Sequence, residues 1–337
     1  MAPDTASEPL PTPRPRRLKP GDLRIAADED DIPAIFAEDD LFVDAESGDL
    51  EWHEDDPIIG LVVGDDARAY PVRLLSNHEI VNDVVGGEPV VVTWCPLCFS
   101  ALVFSRVVDG KELTFGVSGY LFNDNLVMYD HRTNTLWSQL IAEAIKGAYR
   151  GERLALFPSS MTSWNDWKNR FPNTRVLSAE RLGLSAEEVV DPYVGYYESG
   201  IAGLTGQEET NSVLRPKALV VGVTVGDTAR AYPVSDVQSL GLINDKLGGA
   251  SLLVAFDNGL DSVVVYHQGV GGQQLTFSPA EEDGLLSDDQ TGSLWQVSTG
   301  KAIDGPLEGQ RLGRLAAPLV FWFAWSDLQP KGDVYGR

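Results

Sequence analysis

Gly64-Asp-Asp-Ala-Arg-Ala-Tyr-Pro-Val72 returns later in the chain as Gly226-Asp-Thr-Ala-Arg-Ala-Tyr-Pro-Val234. With that offset of 162 held fixed and no gap, Asn82-Asp83 falls on Asn244-Asp245 and Gly86-Gly87 on Gly248-Gly249. Leu113-Thr114-Phe115 then falls on Leu275-Thr276-Phe277, and across Gly64 to Phe115 20 of 52 positions are identical. After a deletion of four residues the register resumes, so that Thr133, Leu136 and Trp137 meet Thr291, Leu294 and Trp295. Further on, Trp164 and Trp167 meet Trp322 and Trp325. A register kept over that span marks an internal duplication.

Each copy carries the same local signals. Ile58 to Val63 and Ala67 to Val72 predict a hairpin around Gly-Asp-Asp. Arg73 to Val85 has helical spacing and stops at Gly86-Gly87. Val90 to Trp94 is a strand of the buried type, and Ala101 to Val108 with Lys111 to Val117 predicts a second hairpin over Asp109-Gly110. Leu126 to Tyr129 adds a short strand, and Ser163 to Phe171 a short helix opened by a serine cap and closed at Pro172. The expected fold is a strand-rich α+β protein, two internally duplicated modules packed with pseudo-two-fold symmetry.

The expected organisation is a disordered arm over 1–20, an acidic N-terminal extension over 21–56, copy one over 57–177, a linker over 178–217 and a degenerate copy two over 218–337. The arm is rich in Pro and Arg and has no apolar periodicity. It also lacks the apolar stretch of a secretory signal, which makes the cytoplasm the expected compartment. The linker holds one stretch of helical spacing, Ala186 to Val190.

Acidic side chains outnumber basic ones by 50 to 26, a net charge of −24, and no Lys or Arg occurs between Ile25 and Ala67. Such a surface repels phosphate backbones and excludes nucleic acid as a partner. It suits a halophilic, high-salt cytoplasm, because the Debye length near 1 M is only about 3 Å. No apolar run reaches the length of about 18 residues needed to insert into and span a bilayer. Partners are otherwise unspecified by the sequence.

The two copies differ at a few concentrated positions. His78 becomes Leu240, Cys95 becomes Asp257, Cys98 becomes Leu260 and His131 becomes Asp289, while Asn123 to Asn125 lies where copy two is shortened. Residues common to both copies, such as Tyr70-Pro71, Asn82-Asp83, Gly86-Gly87 and Trp137, need only a scaffold explanation; Asn82 and Asp83, just before Gly-Gly, read as backbone caps. Cys95 and Cys98, the 2 cysteines of the chain, form one Cys-x-x-Cys. Two thiolates at that spacing can grip one ion or close into a disulfide. His78, expected on the helix before the strand into Cys95, is the third candidate ligand. Soft thiolates favour a copper ion, as Cu(I), or a zinc ion. Three readings stand side by side: a metal site of Cys95, Cys98 and His78, a metal-free redox pair of Cys95 and Cys98, and two buried apolar-like cysteines.

Other titratable groups read as surface or scaffold. His53 lies in the acidic segment, His131 in a loop and His267 on a strand of copy two. Glu79 and Asp83, at i and i+4, fit a solvated helix face or a carboxylate pair equally well. No Gly-x-Gly-x-x-Gly follows a strand and no phosphate loop occurs, so no nucleotide cofactor is indicated. His-Glu-x-x-His and Gly-x-Ser-x-Gly are absent as well.

Ala69-Tyr-Pro-Val72, Asn77-His-Glu-Ile-Val-Asn-Asp83, Val92-Thr-Trp-Cys-Pro-Leu-Cys98, Leu113-Thr-Phe-Gly-Val-Ser-Gly119 and Leu136-Trp-Ser-Gln139 occur in this order. Together they resemble the DUF3179 family, a domain of unknown function, through most of residues 57–330. The resemblance implies that the Cys-Pro-Leu-Cys and Asn-His-Glu segments are hallmarks of the site. The chain departs from it at Phe99, where Gly is expected, and at His131, where Arg is expected. The functional expectation is a thiolate–imidazole metal or redox site in copy one. The alternative is a non-enzymatic metal- or ligand-binding protein whose second copy completes the fold.

Overall fold

The computed structural model describes residues 22–37, 39–204, 206 and 213–337, so the arm expected over 1–20 lies outside the described residues. The chain is strand-rich, 44% strand and 13% helix, and its strands form several sheets. Pro57–Val63 and Asp66–Pro71 pair as the expected hairpin, flanked by Ser159–Ser163, Arg175–Leu177 and Phe42–Asp44 in one five-stranded sheet. A second five-stranded sheet runs Leu156–Phe157, Ser100–Ser105, Glu88–Cys95, Ile80–Val85, Ile35–Phe36. A third runs Leu23–Ile25, Phe115–Phe122, Asn125–Asp130, Leu136–Ser138, Glu143–Lys146. The acidic stretch before Pro57 therefore adds one short strand to each of the three sheets. Beyond residue 218 the described sheets have four, three, two and four strands. Among the described residues no helix is long and apolar enough to cross a membrane.

The helix expected over Arg73 to Val85 is only Val72–Leu75, and Ile80–Val85 is a strand. Its β-branched Ile80, Val81, Val84 and Val85 favour extended backbone. Antiparallel pairing with Glu88–Cys95 satisfies that backbone over six registers. Gly86 and Gly87, with φ of +57° and +85°, form the tight turn of a hairpin rather than a helix stop. In the second half the matching segment is a longer helix, Val234–Leu240, followed by strand Leu242–Leu247.

Asn82 and Asp83 are consequently strand residues, not helix caps. The Asn82 amide donates to Phe115 O and accepts from Phe115 N–H, both at 2.8 Å, and so staples two sheets together. Asn244 makes the matching pair with Phe277 at 2.8 and 2.9 Å. Tyr70 Oη donates to Asp83 at 2.6 Å beside Arg68 at 3.0 Å. Tyr232 and Arg230 meet Asp245 in the same way, at 2.7 and 2.6 Å. Each buried carboxylate is thereby paired and hydrogen-bonded, the condition for tolerating its desolvation.

The hairpin expected over Asp109-Gly110 shrinks to a ribbon of Val107–Val108 with Lys111–Glu112. Ser100–Ser105 pairs back on Glu88–Cys95, and the strand from Phe115 turns into the third sheet. Buried Arg106 fixes this divergence by donating to the carbonyls of Val90, Leu113 and Asp83. The helix expected from Ser163 is found at Trp164–Arg170, with Ser163 Oγ accepting from Asp166 N–H at 3.1 Å. Ala186 to Val190 contains only a turn, and the nearby helix is Val194–Glu198.

Packing leaves no slack at two matched glycines. A Cβ on Gly60 would stand 2.3 Å from the Trp167 ring, and one on Gly222 2.2 Å from the Trp325 ring. Both indoles lie on the sheet because the glycines leave room for them. We expect Gly60→Ala to destabilise the fold by about 1–3 kcal/mol, the usual cost of overpacking a filled core. Denaturant unfolding of the variant beside the parent protein measures this, and an unchanged midpoint would contradict the packing account.

Candidate functional site

Strand Glu88–Cys95 ends where Cys95 pairs with Ser100, so Pro96, Leu97, Cys98 and Phe99 form the connecting turn. Phe99 has φ of +52°, the left-handed region that explains why a Gly was expected there. Its ring is fixed by Trp94, Tyr197 and Phe321, with centroids 5.1, 5.2 and 5.1 Å away. Phe321 N–H donates to Cys98 O at 2.9 Å, so a strand of the second half closes directly on the turn. Cys95 and Cys98 share one buried core with Val320 and Trp322 of that half.

The two cysteines lie 3.8 Å apart, both free and 1% and 0% exposed. Burial opposes ionisation of Cys95, yet the Cys98 thiol and the backbone N–H groups of Cys98, Leu126 and Leu97 outweigh it and hold its pKa below the ordinary thiol value. Burial pushes the Cys98 thiol the other way, reinforced by the Cys95 charge beside it. Cys98 also donates to Asp124 O at 3.2 Å. The pair is therefore asymmetric, Cys95 being the more acidic thiol and Cys98 the one that holds its proton longer.

The matched turn of the second half has a related geometry. Asp257 occupies the place of Cys95, Gly259 N–H donates to its Oδ1 at 3.0 Å, and Leu260 N–H points at it as well. Asp261, matching Phe99, has φ of +44°. Both turns are nests of converging amides that favour a negative group at their centre. The second half fills its nest with a carboxylate and the first half fills its own with a sulfur.

A buried polar network carries the hairpin bearing the cysteines. Gln139 Oε1 accepts from Ser100 Oγ at 2.9 Å and from Asn125 Nδ2 at 2.8 Å, while Gln139 Nε2 donates to Thr93 Oγ1 at 3.0 Å. Leu140 N–H donates to Asn125 Oδ1 at 2.9 Å, which leaves the other amide hydrogen of Asn125 facing Cys98. A fully satisfied network of this kind rigidifies what it touches. At the matched positions of the second half Thr93 becomes Ala255 and Gln139 becomes Val297.

Tyrosines cover the pair. Tyr196 Oη donates to Leu97 O and accepts from Gly203 N–H, at 2.8 and 2.9 Å. Lys217 Nζ lies 3.5 Å from the centroid of the Tyr196 ring and donates to Tyr196 O. The Asn123-Asp124 turn, with φ of +50° and +58°, closes another side. Any reagent larger than a proton reaches the sulfurs only when this cover moves.

Glu79 is the residue whose part the sequence did not reveal. The i, i+4 spacing groups it with Asp83 on a helix face, yet Asp83 belongs to the Tyr70–Arg68 cluster and Glu79 is buried near Cys95. Glu79 has φ of +57°, where the matched residue of the second half is Gly241 at +77°. A carboxyl thus stands on a backbone conformation that suits glycine, and such strain concentrates at functional sites. Burial pushes its pKa up to about 8, and the charge of Cys95 adds to the shift. The substitution by glycine at the matched position was the available signal. Tyr196 has no matched residue and so had none.

His78 is placed elsewhere. It follows the helix in a turn, its Nδ1 2.8 Å from Pro33 O, and it lines a cleft of about 330 Å³ with Leu74, Asn77 and Leu184. Among the described residues no group of three or more His, Cys, Asp or Glu is arranged to hold a metal ion. His131 and His53 are exposed, and His267 ends a strand of the second half.

The raised Glu79 carboxyl has a stability consequence. Below its ordinary value of 4.5 the group is neutral in both the folded and unfolded chains. As pH rises from there through about 8, only the unfolded chain ionises, and stability falls by about 1.4 kcal/mol per pH unit. Glu79→Gln removes this loss. Its stability relative to the parent is expected to climb across that window and level off above it, as denaturant unfolding at several pH values would register. A pH-independent difference would contradict the assignment.

No curated protein and no solved structure matches the chain. The model of the family described as "Protein of unknown function (DUF3179)" matches residues 29–332, Cys95, Cys98 and Glu79 included, and the chain belongs to that family.

Proposed function

We propose that the protein is a thiol–disulfide oxidoreductase, or a dithiol redox carrier, with one active pair in its first half. The observation that carries this reading is the asymmetry of the pair: backbone amides and Cys98 lower the pKa of Cys95, while burial raises that of Cys98, 3.8 Å away. A thiolate beside a thiol is the arrangement that disulfide exchange requires. Cys95 attacks a substrate sulfur and forms a mixed disulfide, expelling the first substrate thiolate. Cys98 then attacks Cys95 Sγ, which closes the Cys95–Cys98 disulfide and releases the second thiolate. The substrate gains the two electrons that the dithiol loses. The second half takes no part in the bond changes. We take it to be a duplicated, diverged unit, packed about a pseudo-two-fold axis, whose Phe321 braces the active turn.

The test is equilibration in glutathione redox buffers, followed by thiol trapping and mass measurement. Cys95 and Cys98 are expected to oxidise together in one two-electron transition, and Cys95→Ser is expected to abolish catalysed reduction of a small disulfide. Cys98→Ser is expected to stall at a mixed disulfide on Cys95. Both cysteines remaining thiols under oxidising buffer, or copper or zinc retained stoichiometrically by the parent and lost from Cys95→Ser, would contradict the proposal.

A further inference from the structure

We infer that Glu79 is the acid–base group of the dithiol, protonating the thiolate expelled when Cys95 attacks a disulfide and recovering a proton when Cys98 becomes the nucleophile. The inference rests on the redox reading above. Two features carry it. The carboxyl is largely buried, close enough to Cys95 to feel its charge. It stands at a left-handed backbone position where the second half, which has no thiols, uses glycine. The main chain is held as at Gly241, with Glu79 N–H donating to Leu75 O at 2.6 Å and Trp94 N–H donating to Glu79 O at 2.8 Å, so the two halves differ here in the side chain. A strained, buried carboxyl has no part in the scaffold that glycine does not fill.

The groups that face Glu79 are few. Cys95 approaches from its strand and Tyr193 from the tyrosine cover, with Asp191 beyond Tyr193. The adjacent His78 is turned toward Pro33 O. Among the described residues no cation acts on the carboxyl, so burial and the Cys95 charge keep it protonated near neutral pH.

The proton balance follows from that state. The reactive form has Cys95 as thiolate, Cys98 as thiol and Glu79 as carboxylic acid. Attack on R–S–S–R′ forms the Cys95–S–S–R bond, breaks the substrate S–S bond and leaves R′–S⁻. The Cys95 charge has then gone, the Glu79 proton is held less tightly, and it passes to R′–S⁻ to give R′–SH. The Glu79 carboxylate next takes the proton of Cys98, whose sulfur attacks Cys95 and expels R–S⁻, which is protonated by water. Glu79 ends as it began, and the substrate is reduced by two electrons.

The experiment compares two disulfides on the full chain. Glutathione disulfide expels a basic aliphatic thiolate that benefits from a proton, whereas 5,5′-dithiobis(2-nitrobenzoic acid) expels a stable aromatic thiolate that does not. For Glu79→Gln the inference expects a loss of about 10²-fold on glutathione disulfide. The loss on the aromatic disulfide is expected to be at least about tenfold smaller, and the alkaline limb near pH 8 in the glutathione disulfide profile is expected to vanish. Glu79→Gly, which adopts the second-half residue, is expected to show the same rate pattern together with a higher melting temperature. Equal losses on both disulfides, no loss on either, or a lower melting temperature for Glu79→Gly would overturn the inference. A Cys95→Ser protein that still reduced both disulfides would instead remove the redox reading on which it rests.

Discussion

The turn between Trp94 and Ser100 aims backbone N–H groups at the side chain of residue 95, and that convergence governs what group can sit there and in what charge state. An apolar side chain would leave buried donors unpaired, at a cost of about 1–3 kcal/mol each. The second half places the Asp257 carboxyl there, where burial raises its pKa and Gly259 N–H, Arg170 and Arg314 offset that only in part. A cysteine satisfies the donors by becoming a thiolate. The nest is shared by both halves, and the chemistry is decided by the side chain placed in it.

The rest of the structure holds this turn still and dry. The Asn82 clamp to Phe115 ties the sheet that bears the cysteines to the sheet that supplies Asp124 and Asn125. The Gln139 network fixes the two sheets again, at Thr93, Ser100 and Asn125. Phe321 reaches across from the second half to the carbonyl of Cys98, and Tyr196 caps the carbonyl of Leu97. Each contact takes a backbone or amide group that would otherwise compete for the sulfurs.

Much of this was legible in the chain before any coordinates. Gly64 and Gly226 announced hairpins, the cysteines lay in a turn between two buried strands, and the loss of both thiols from the second half pointed to the turn as the place to look. The apolar spacing of Ile80 to Val85 fits a helix and a strand alike, and only pairing with Glu88–Cys95 decides between them. That ambiguity conceals Glu79, which on a helix face looks solvated and at the strand entry is buried. The cover by Tyr196 was beyond reach for another reason: it depends on how residues 191–204 fold back on Leu97, which no local periodicity encodes.

The central claim is that Cys95 is the more acidic thiol and Cys98 the one that holds its proton longer. Ultraviolet absorbance of the thiolate, followed through a pH titration of the folded protein, measures it most directly. The account predicts one ionisation below the ordinary thiol value of 9.0, absent from Cys95→Ser and retained in Cys98→Ser, whose hydroxyl still donates. An ionisation that survives Cys95→Ser, or no ionisation below that value in the parent, would contradict it.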